Sequence, residues 1–336
     1  VRLATPWRAV VKGWGGYVPE RVVTNDALAE QMDTSDAWIR SRTGIRQRHI
    51  AAAGELTSDL AVAAARPALA RAGLTAADVD LIICATSTPD HTFPATATAI
   101  QRKLECPIGI AFDVQAVCSG FPYALTVADQ FLRLGEARTA LVVGAETFSR
   151  LMDWSDRGTS VLFGDGAGAL VLAAEPAAEP TAEPTDGAAA PRGILASYLG
   201  ADGRHYDDLY VDGGPSTTGT TGHLRMNGQE VYRHAVAMLS AAVTEVLDRA
   251  GLGLDEVAWV APHQANKRII DAVAKRLGVS AERVLVAVDR HANTSAASIP
   301  LALDLAAGDG RLKPGDLVVA TAMGGGFTWG AVAFRW

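Results

Sequence analysis

One of the three cysteines stands where a thiol can act as a nucleophile. Cys118 falls in the run Phe112-Asp113-Val114-Gln115-Ala116-Val117-Cys118-Ser119-Gly120-Phe121, where an apolar strand gives way to a helix. A thiol at a helix start faces unpaired backbone N–H groups and the positive end of the helix dipole, and both favour the thiolate. The same N–H groups would hold an oxyanion if the sulfur attacked a thioester carbonyl. Alone, such a cysteine reads as a small buried hydrophobe. The small neighbours Ser119 and Gly120, and the residues described next, favour the nucleophile. Cys84, inside Leu81-Ile82-Ile83-Cys84-Ala85, reads as core, and Cys106 before Pro107 has no evident partner.

Three further groups share this chemistry. His263, in Pro262-His263-Gln264-Ala265-Asn266, follows the apolar run Ala258–Ala261 and is placed to act as donor or base. Asn293 precedes Thr294-Ser295-Ala296-Ala297-Ser298 and reads either as an N-cap or as an amide facing a substrate carbonyl. Met323-Gly324-Gly325-Gly326-Phe327-Thr328-Trp329-Gly330 is a glycine-rich turn in which the backbone can approach a ligand closely and expose an N–H.

These residues need elements to hold them. A helix is expected from about Ser58 to Ala72, ending at Gly73, with strands at Leu81–Ala85, Ile108–Val114, Ala140–Gly144 and Gly168–Ala173 and a helix from about Ser119 to Leu134. Short apolar runs bounded by turns suit strands buried on both faces. The second half echoes the first. Arg71-Ala72-Gly73-Leu74 matches Arg249-Ala250-Gly251-Leu252, and Leu141-Val142-Val143 matches Leu317-Val318-Val319. Asp113 matches Asp289, Phe163–Ala167 resembles Phe327–Ala331, His263 falls near the counterpart of Thr86, and Asn293 falls near that of Cys118. Ordered correspondences of this kind indicate a duplicated α/β unit, with a site at the pseudo-dyad between the halves. Residues 1–174 and 193–336 are the expected halves. Between them, 175–192 reads as a solvated linker, because Ala-Glu-Pro recurs at 174–176, 178–180 and 182–184 and such spacing of proline breaks helices and central strands.

Composition narrows the function classes. The 336 residues are 49% hydrophobic and 20% charged, which suits a compact enzyme with a large core. A net charge of −7 argues against a nucleic-acid binder. Three cysteines without a metal-type spacing suit a reducing compartment and no metal. Val1–Glu20 has no continuous apolar stretch of signal-peptide type, and no run of 18 apolar residues is free of charge. The expectation is a cytoplasmic protein without a membrane span.

Taken together, Asp33-Thr34-Ser35-Asp36-Ala37-Trp38-Ile39, Arg42-Thr43-Gly44-Ile45, the Cys118 segment, Asp156-Arg157-Gly158-Thr159, Phe163–Ala169, His263–Asn266, Asn293–Ser298 and Gly324–Gly330 resemble bacterial β-ketoacyl-acyl carrier protein synthase III. The likeness runs in order from about Gly13 to Trp336. It implies the α/β thiolase fold, five layers αβαβα, in a homodimer. It implies Cys118, His263 and Asn293 as the catalytic triad, with an oxyanion hole made by the N–H groups of Cys118 and Gly325. Acyl-CoA would load Cys118 as a substrate, no cofactor being needed, and malonyl-acyl carrier protein would then decarboxylate and condense. Trp38, Arg42, Arg157 and Asn266 would bind CoA, and Phe93 would reach the partner subunit's acyl pocket.

Lys267, Arg268, Lys275 and Arg276 would greet an acidic carrier protein or, read blandly, form a solvated helix face. Met323 stands where phenylalanine is common and Ala292 where glycine is usual, which bears on pocket shape. The Ala-Glu-Pro segment has no counterpart in the family pattern. Rival readings are a related thiolase-fold synthase of secondary metabolism and a catalytically silent partner subunit, the latter having no need of all three triad residues.

Overall fold

A computed structural model of the chain describes residues 7–177 and 192–336. Nine strands form its two main sheets. The first contains β1 (Trp7–Tyr17), β2 (Leu81–Ala85), β3 (Ile110–Val114), β4 (Thr139–Glu146) and β5 (Gly166–Pro176), in the order β1-β5-β4-β2-β3. The second contains β6 (Gly193–Ala201), β7 (Trp259–Pro262), β8 (Leu317–Gly324) and β9 (Thr328–Arg335), in the order β7-β8-β9-β6. β2 runs parallel to β3 and β4, while β5 is antiparallel to β4 and β1. The second sheet repeats this pattern for four of the five strands, with no counterpart of β3 among the described residues. The registers agree as well. Leu141 lies opposite Val171 in one half, and its sequence counterpart Leu317 lies opposite Arg335 in the other.

Seven helices matter for the site: α1 (Asp36–Thr43), α2 (Thr57–Ala72), α3 (Thr96–Leu104), α4 (Gly120–Leu134), α5 (Gly228–Ala250), α6 (Lys267–Leu277) and α7 (Ser298–Gly308). The alternation of side chains along each strand builds the layers. Ile82, Cys84, Leu141 and Val143 face a core under α2 and α3, and Leu81, Ile83, Ala140 and Val142 face the opposite way. That second core also holds Phe121 and Leu125 of α4, Ile299 and Leu303 of α7, and Val318 and Ala320 of β8. Leu317 and Val319 point outward to Val243 and Val246 of α5 and Ile270 of α6. The result is five layers, αβαβα, with α4 and α7 shared in the middle.

Several expectations need adjustment. The strand expected at Ile108–Val114, β3, starts at Ile110, and Ile108 is fully exposed beyond the sheet. β3 is only half-buried, being an edge strand. The first Ala-Glu-Pro is not linker: Ala174–Pro176 completes β5, paired with Trp7–Ala9. Pro176 is tolerated as the terminal residue, where the ladder is ending. The repeats at 178–180 and 182–184 lie outside the described residues.

Close contact between the first sheet and the middle layer depends on two paired glycines. Gly144 and Gly168 face each other across β4 and β5. A Cβ on Gly144 would lie 2.3 Å from the Ala296 carbonyl oxygen, and one on Gly168 would lie 2.6 Å from Pro300 Cβ. Gly144→Ala is therefore expected to push residues 296–300 off the sheet and cost about 1–3 kcal/mol, the usual range for overpacking. Urea denaturation measures that loss, and an unchanged midpoint would contradict the tight approach.

Candidate active site

Cys118 sits in a 3₁₀ turn, Val117–Ser119, that leads into α4, and a matching turn, Ser295–Ala297, leads into α7. The two turns pack against each other. The residue opening each is held in the left-handed region, Val117 at φ 47° and Ser295 at φ 48°. This shared bend identifies Ala296 as the counterpart of Cys118, and Asn293 lies three residues earlier. The strand pairings likewise match His263 with Ser87, one residue beyond Thr86. The pseudo-symmetry expected from the sequence is real but shifted at both residues.

Cys118, His263 and Asn293 nevertheless line one cavity of about 540 Å³, together with Trp38, Arg42, Asn266, Arg268 and Met323. All three are buried. His263 extends β7, its N–H donating to the Thr321 carbonyl at 2.8 Å, and its ring Nδ1 lies 2.6 Å from Ser298 Oγ. Nε2 is then the ring nitrogen left for the cavity. Asn293 is anchored across the halves: its N–H donates to the Leu162 carbonyl at 2.9 Å, and its own carbonyl accepts from Gly164 at 3.0 Å. Its Oδ1 accepts the Ser295 N–H at 2.9 Å. Since a backbone N–H can only donate, the oxygen is identified and Nδ2 is free to donate. The N-cap and the substrate-facing readings thus use opposite ends of one amide.

The glycine turn joins β8 to β9 and passes directly against the Cys118 backbone. A Cβ on Gly324 would lie 2.8 Å from both the Ala116 carbonyl oxygen and the Cys118 nitrogen, and Gly326 takes φ 131°, which excludes side chains. Thr328 Oγ1 lies 2.8 Å from Ser119 Oγ, whose own proton goes to the Ala116 carbonyl at 2.8 Å. These hydroxyls stitch the turn to the cysteine loop. Gly325 follows Gly324 in that turn and is buried.

The other expected residues divide. Arg42 and Arg157 bring their guanidinium carbons to 4.6 and 5.1 Å from the centroid of the Trp38 ring, a doubled cation–π contact. Arg157 does not line the cavity itself and also pairs with Asp33 at 3.2 Å. Asn266 caps α6, its side chain accepting the Arg268 N–H at 2.8 Å. Arg268 lies 5.8 Å over Tyr232, a cavity residue that sequence reasoning did not single out. Lys267 pairs with Asp271, while Lys275 and Arg276 are exposed farther along α6. Phe93 is 83% exposed and outside the cavity. Among the described residues, no group of three or more His, Cys, Asp or Glu side chains is gathered for a metal, and no helix is long and apolar enough to cross a membrane.

Burial governs the protonation states. It pushes the Cys118 thiol up to about 12, an effect reinforced by the Glu146 charge and only partly offset by the nearby Ser295 hydroxyl. The helix-start argument for a resting thiolate is therefore outweighed: with no cation beside the sulfur, desolvation wins. Burial also holds His263 down at about 3, so the ring is neutral throughout the neutral range. Both shifts run against a thiolate–imidazolium pair.

Residues 112–203 match the family 3-oxoacyl-(acyl-carrier-protein) synthase III, and residues 247–336 match its C-terminal part. The β-ketoacyl-(acyl-carrier-protein) synthase III of Rhizobium meliloti (strain 1021) is 60% identical over 98% of this chain and 99% of its own. The crystal structure of the 3-oxoacyl-(acyl-carrier-protein) synthase III of Aquifex aeolicus VF5 superposes with a TM-score of 0.88, at 44% identity, covering 98% of this chain and all of that one. The priming β-ketosynthase of the R1128 polyketide pathway superposes at 0.89 with 34% identity, covering 100% and 98% of the two chains. Fold and site together define a thiolase-fold condensing enzyme, an acyltransferase of the decarboxylating β-ketoacyl synthase type. Within that class, the chain belongs to the β-ketoacyl-acyl carrier protein synthase III family, which initiates fatty acid synthesis.

The protonation states are testable. Below its pKa a thiol gains thiolate about tenfold per pH unit, and only thiolate is alkylated. Alkylation of Cys118 by iodoacetamide should thus keep rising from pH 7 to pH 10. Intact-protein mass spectrometry follows the rate, and a plateau near pH 7 would reveal an ion pair instead.

Proposed function

We propose that Cys118, His263 and Asn293 carry the two half-reactions of a synthase III that uses acyl-CoA and malonyl-acyl carrier protein. The observation behind this reading is that one cavity gathers these three side chains from opposite halves of the chain. Cys118 Sγ attacks the acyl-CoA thioester carbonyl, and the backbone N–H groups of Cys118 and Gly325 hold the oxyanion. The C–S bond to CoA breaks, and the thiol proton of Cys118 leaves with the CoA sulfur. The exchange balances without a resting thiolate.

Malonyl-acyl carrier protein follows. Nε2 of His263 and Nδ2 of Asn293 donate to its thioester carbonyl, so the C–C bond to the carboxylate breaks and CO₂ departs with the negative charge held on the enolate oxygen. The enolate carbon attacks the acyl-cysteine, β-ketoacyl-carrier protein is released, and Cys118 leaves as thiolate, which takes a proton from solvent to return to the resting thiol. Neutral donors suffice because loss of CO₂, rather than proton abstraction, generates the carbanion. The steps call for no cofactor.

For CoA we assign Trp38, Arg42, Arg157 and Asn266, with the adenine displacing one guanidinium from the indole face. The exposed Phe93 suits a homodimer in which it enters the partner's acyl pocket. Arg268, Lys275 and Arg276, all exposed on α6, suit docking of an acidic carrier protein, with the paired Lys267 contributing less. Three free cysteines suit the cytoplasm. Likeness to the R1128 priming synthase favours a second reading, the same chemistry serving another carrier-protein pathway. Turnover with fatty-acid and polyketide carrier proteins side by side separates the two.

His263→Ala or Asn293→Ala should leave most Cys118 acylation by acetyl-CoA intact while lowering decarboxylation of malonyl-carrier protein by on the order of 10²–10³, the usual loss for one well-placed donor. Cys118→Ala should abolish condensation. Intact mass for acylation and radiolabelled CO₂ release for decarboxylation read the two steps, and Asn293→Ala losing only acylation would refute the assignment. Charge reversal of Arg268 should raise KM for malonyl-carrier protein more than KM for acyl-CoA. Added salt should mimic it, since exposed charges are screened over about 8–10 Å. Equal loss toward both substrates would point away from docking.

A further inference from the structure

His263 is neutral and carries one ring proton, and which nitrogen holds it decides what the ring can do. With the proton on Nε2, the ring donates into the cavity. With the proton on Nδ1, the ring offers the cavity a lone pair and becomes a base. The established reaction type does not by itself say which, but the hydrogen-bond surroundings do.

Nδ1 has one partner, Ser298 Oγ at 2.6 Å. Ser298 is the first residue of α7 and is buried. Its Oγ also receives the Gln264 backbone N–H at 3.3 Å. Among the described residues that hydroxyl makes no other hydrogen bond. If Nδ1–H donated to Ser298, the oxygen would receive two donors and the serine proton would be stranded in the interior. If the serine proton points to Nδ1 instead, every group is satisfied: Gln264 N–H to Oγ, and O–H to Nδ1. Buried donors left unpaired are strongly disfavoured.

The donor that orients the serine is itself rigid. The Gln264 side chain donates to the carbonyls of Pro262 and Leu285 at 2.6 and 3.1 Å, and its Oε1 accepts from Ala287 and Val288 at 2.7 and 3.1 Å. With both ends of the amide engaged, the backbone N–H of Gln264 cannot turn away. A carboxylate in place of Ser298 would have drawn Nδ1–H toward itself and made Nε2 basic, as in hydrolytic triads. A hydroxyl whose lone pair is occupied by a backbone N–H does the reverse.

We propose that Ser298 is a positioning residue that fixes His263 as its Nε2–H tautomer, making the ring a hydrogen-bond donor and denying it a base's lone pair. This rests on the donor role assigned to His263 above. It adds the residue that enforces that role. The counterpart of Ser298 in the first half is Gly120, so the device belongs to one half only.

The test begins on the wild-type protein. Two-bond ¹H–¹⁵N correlation of ¹⁵N-histidine-labelled enzyme at pH 7, with His263→Gln identifying the signal, should show a protonated Nε2 and an unprotonated Nδ1. The opposite tautomer overturns the proposal without any change at Ser298. Ser298→Ala should lower kcat for malonyl-carrier protein decarboxylation by on the order of 10–100-fold, the usual cost of losing an outer-shell partner, and more than it slows Cys118 acylation. Ser298→Thr, which keeps the hydroxyl, should recover most of that loss. Full decarboxylation and an unchanged Nε2–H signature in Ser298→Ala would also overturn it. If His263→Ala decarboxylates at the wild-type rate, the donor role of His263 fails instead, whichever tautomer the spectrum shows.

Discussion

The site depends on how closely two helix starts from different halves can approach one another against a sheet. Side chains at 144 and 168 would hold Ala296–Leu301 away from β4 and β5, and both positions are glycine. A third glycine, Gly324, brings the turn after β8 against the Cys118 nitrogen. Backbone contact at these points, rather than any one strong interaction, puts sulfur, imidazole and amide around a shared volume. Protein interiors are dense and transmit strain, so a methyl group at any of these contacts acts directly on the site's geometry.

Such close packing also excludes water, and exclusion of water sets the chemistry. Desolvation keeps the thiol protonated and the histidine neutral. A catalyst that had to abstract a carbon-bound proton would be disarmed by those states. One that lets decarboxylation make the carbanion needs only donors aimed at a carbonyl oxygen, and donors gain strength in a low-dielectric cavity. The donor roles we assign to Asn293 and His263 rest on one device: the Ser295 N–H occupies Oδ1 of Asn293, and in the tautomer we infer the Ser298 hydroxyl occupies Nδ1 of His263.

Much of this was legible in the chain. The short apolar runs Leu81–Ala85 and Leu317–Ala322, the repeated Arg-Ala-Gly-Leu corners and the strand-to-helix junction at Cys118 carry local physics that needs no tertiary context. The reading slipped where position depends on pairing. Asn293 is three residues from the counterpart of Cys118, and His263 matches Ser87 rather than Thr86, since loop lengths differ between the halves and register is set by partner strands. The first Ala-Glu-Pro looked like linker by composition, yet pairing with β1 holds it in a sheet.

By itself, the sequence determined the duplicated α/β architecture and the family, and it singled out the groups to which we assign the chemistry, because periodicity, turn residues and motif order are local and additive. Only the tertiary structure decided their protonation and direction. Whether a thiol at a helix start rests as thiolate depends on the balance between nearby N–H dipoles and total desolvation, and that balance is a property of the closed cavity. Which end of Asn293 faces a substrate, and which nitrogen of His263 carries the proton, depends on single hydrogens from Ser295 and Ser298. Ser298 meets a histidine far from it in the chain, whereas Ser295 bonds Asn293 two residues before it, in a bend that packing against the Cys118 turn holds.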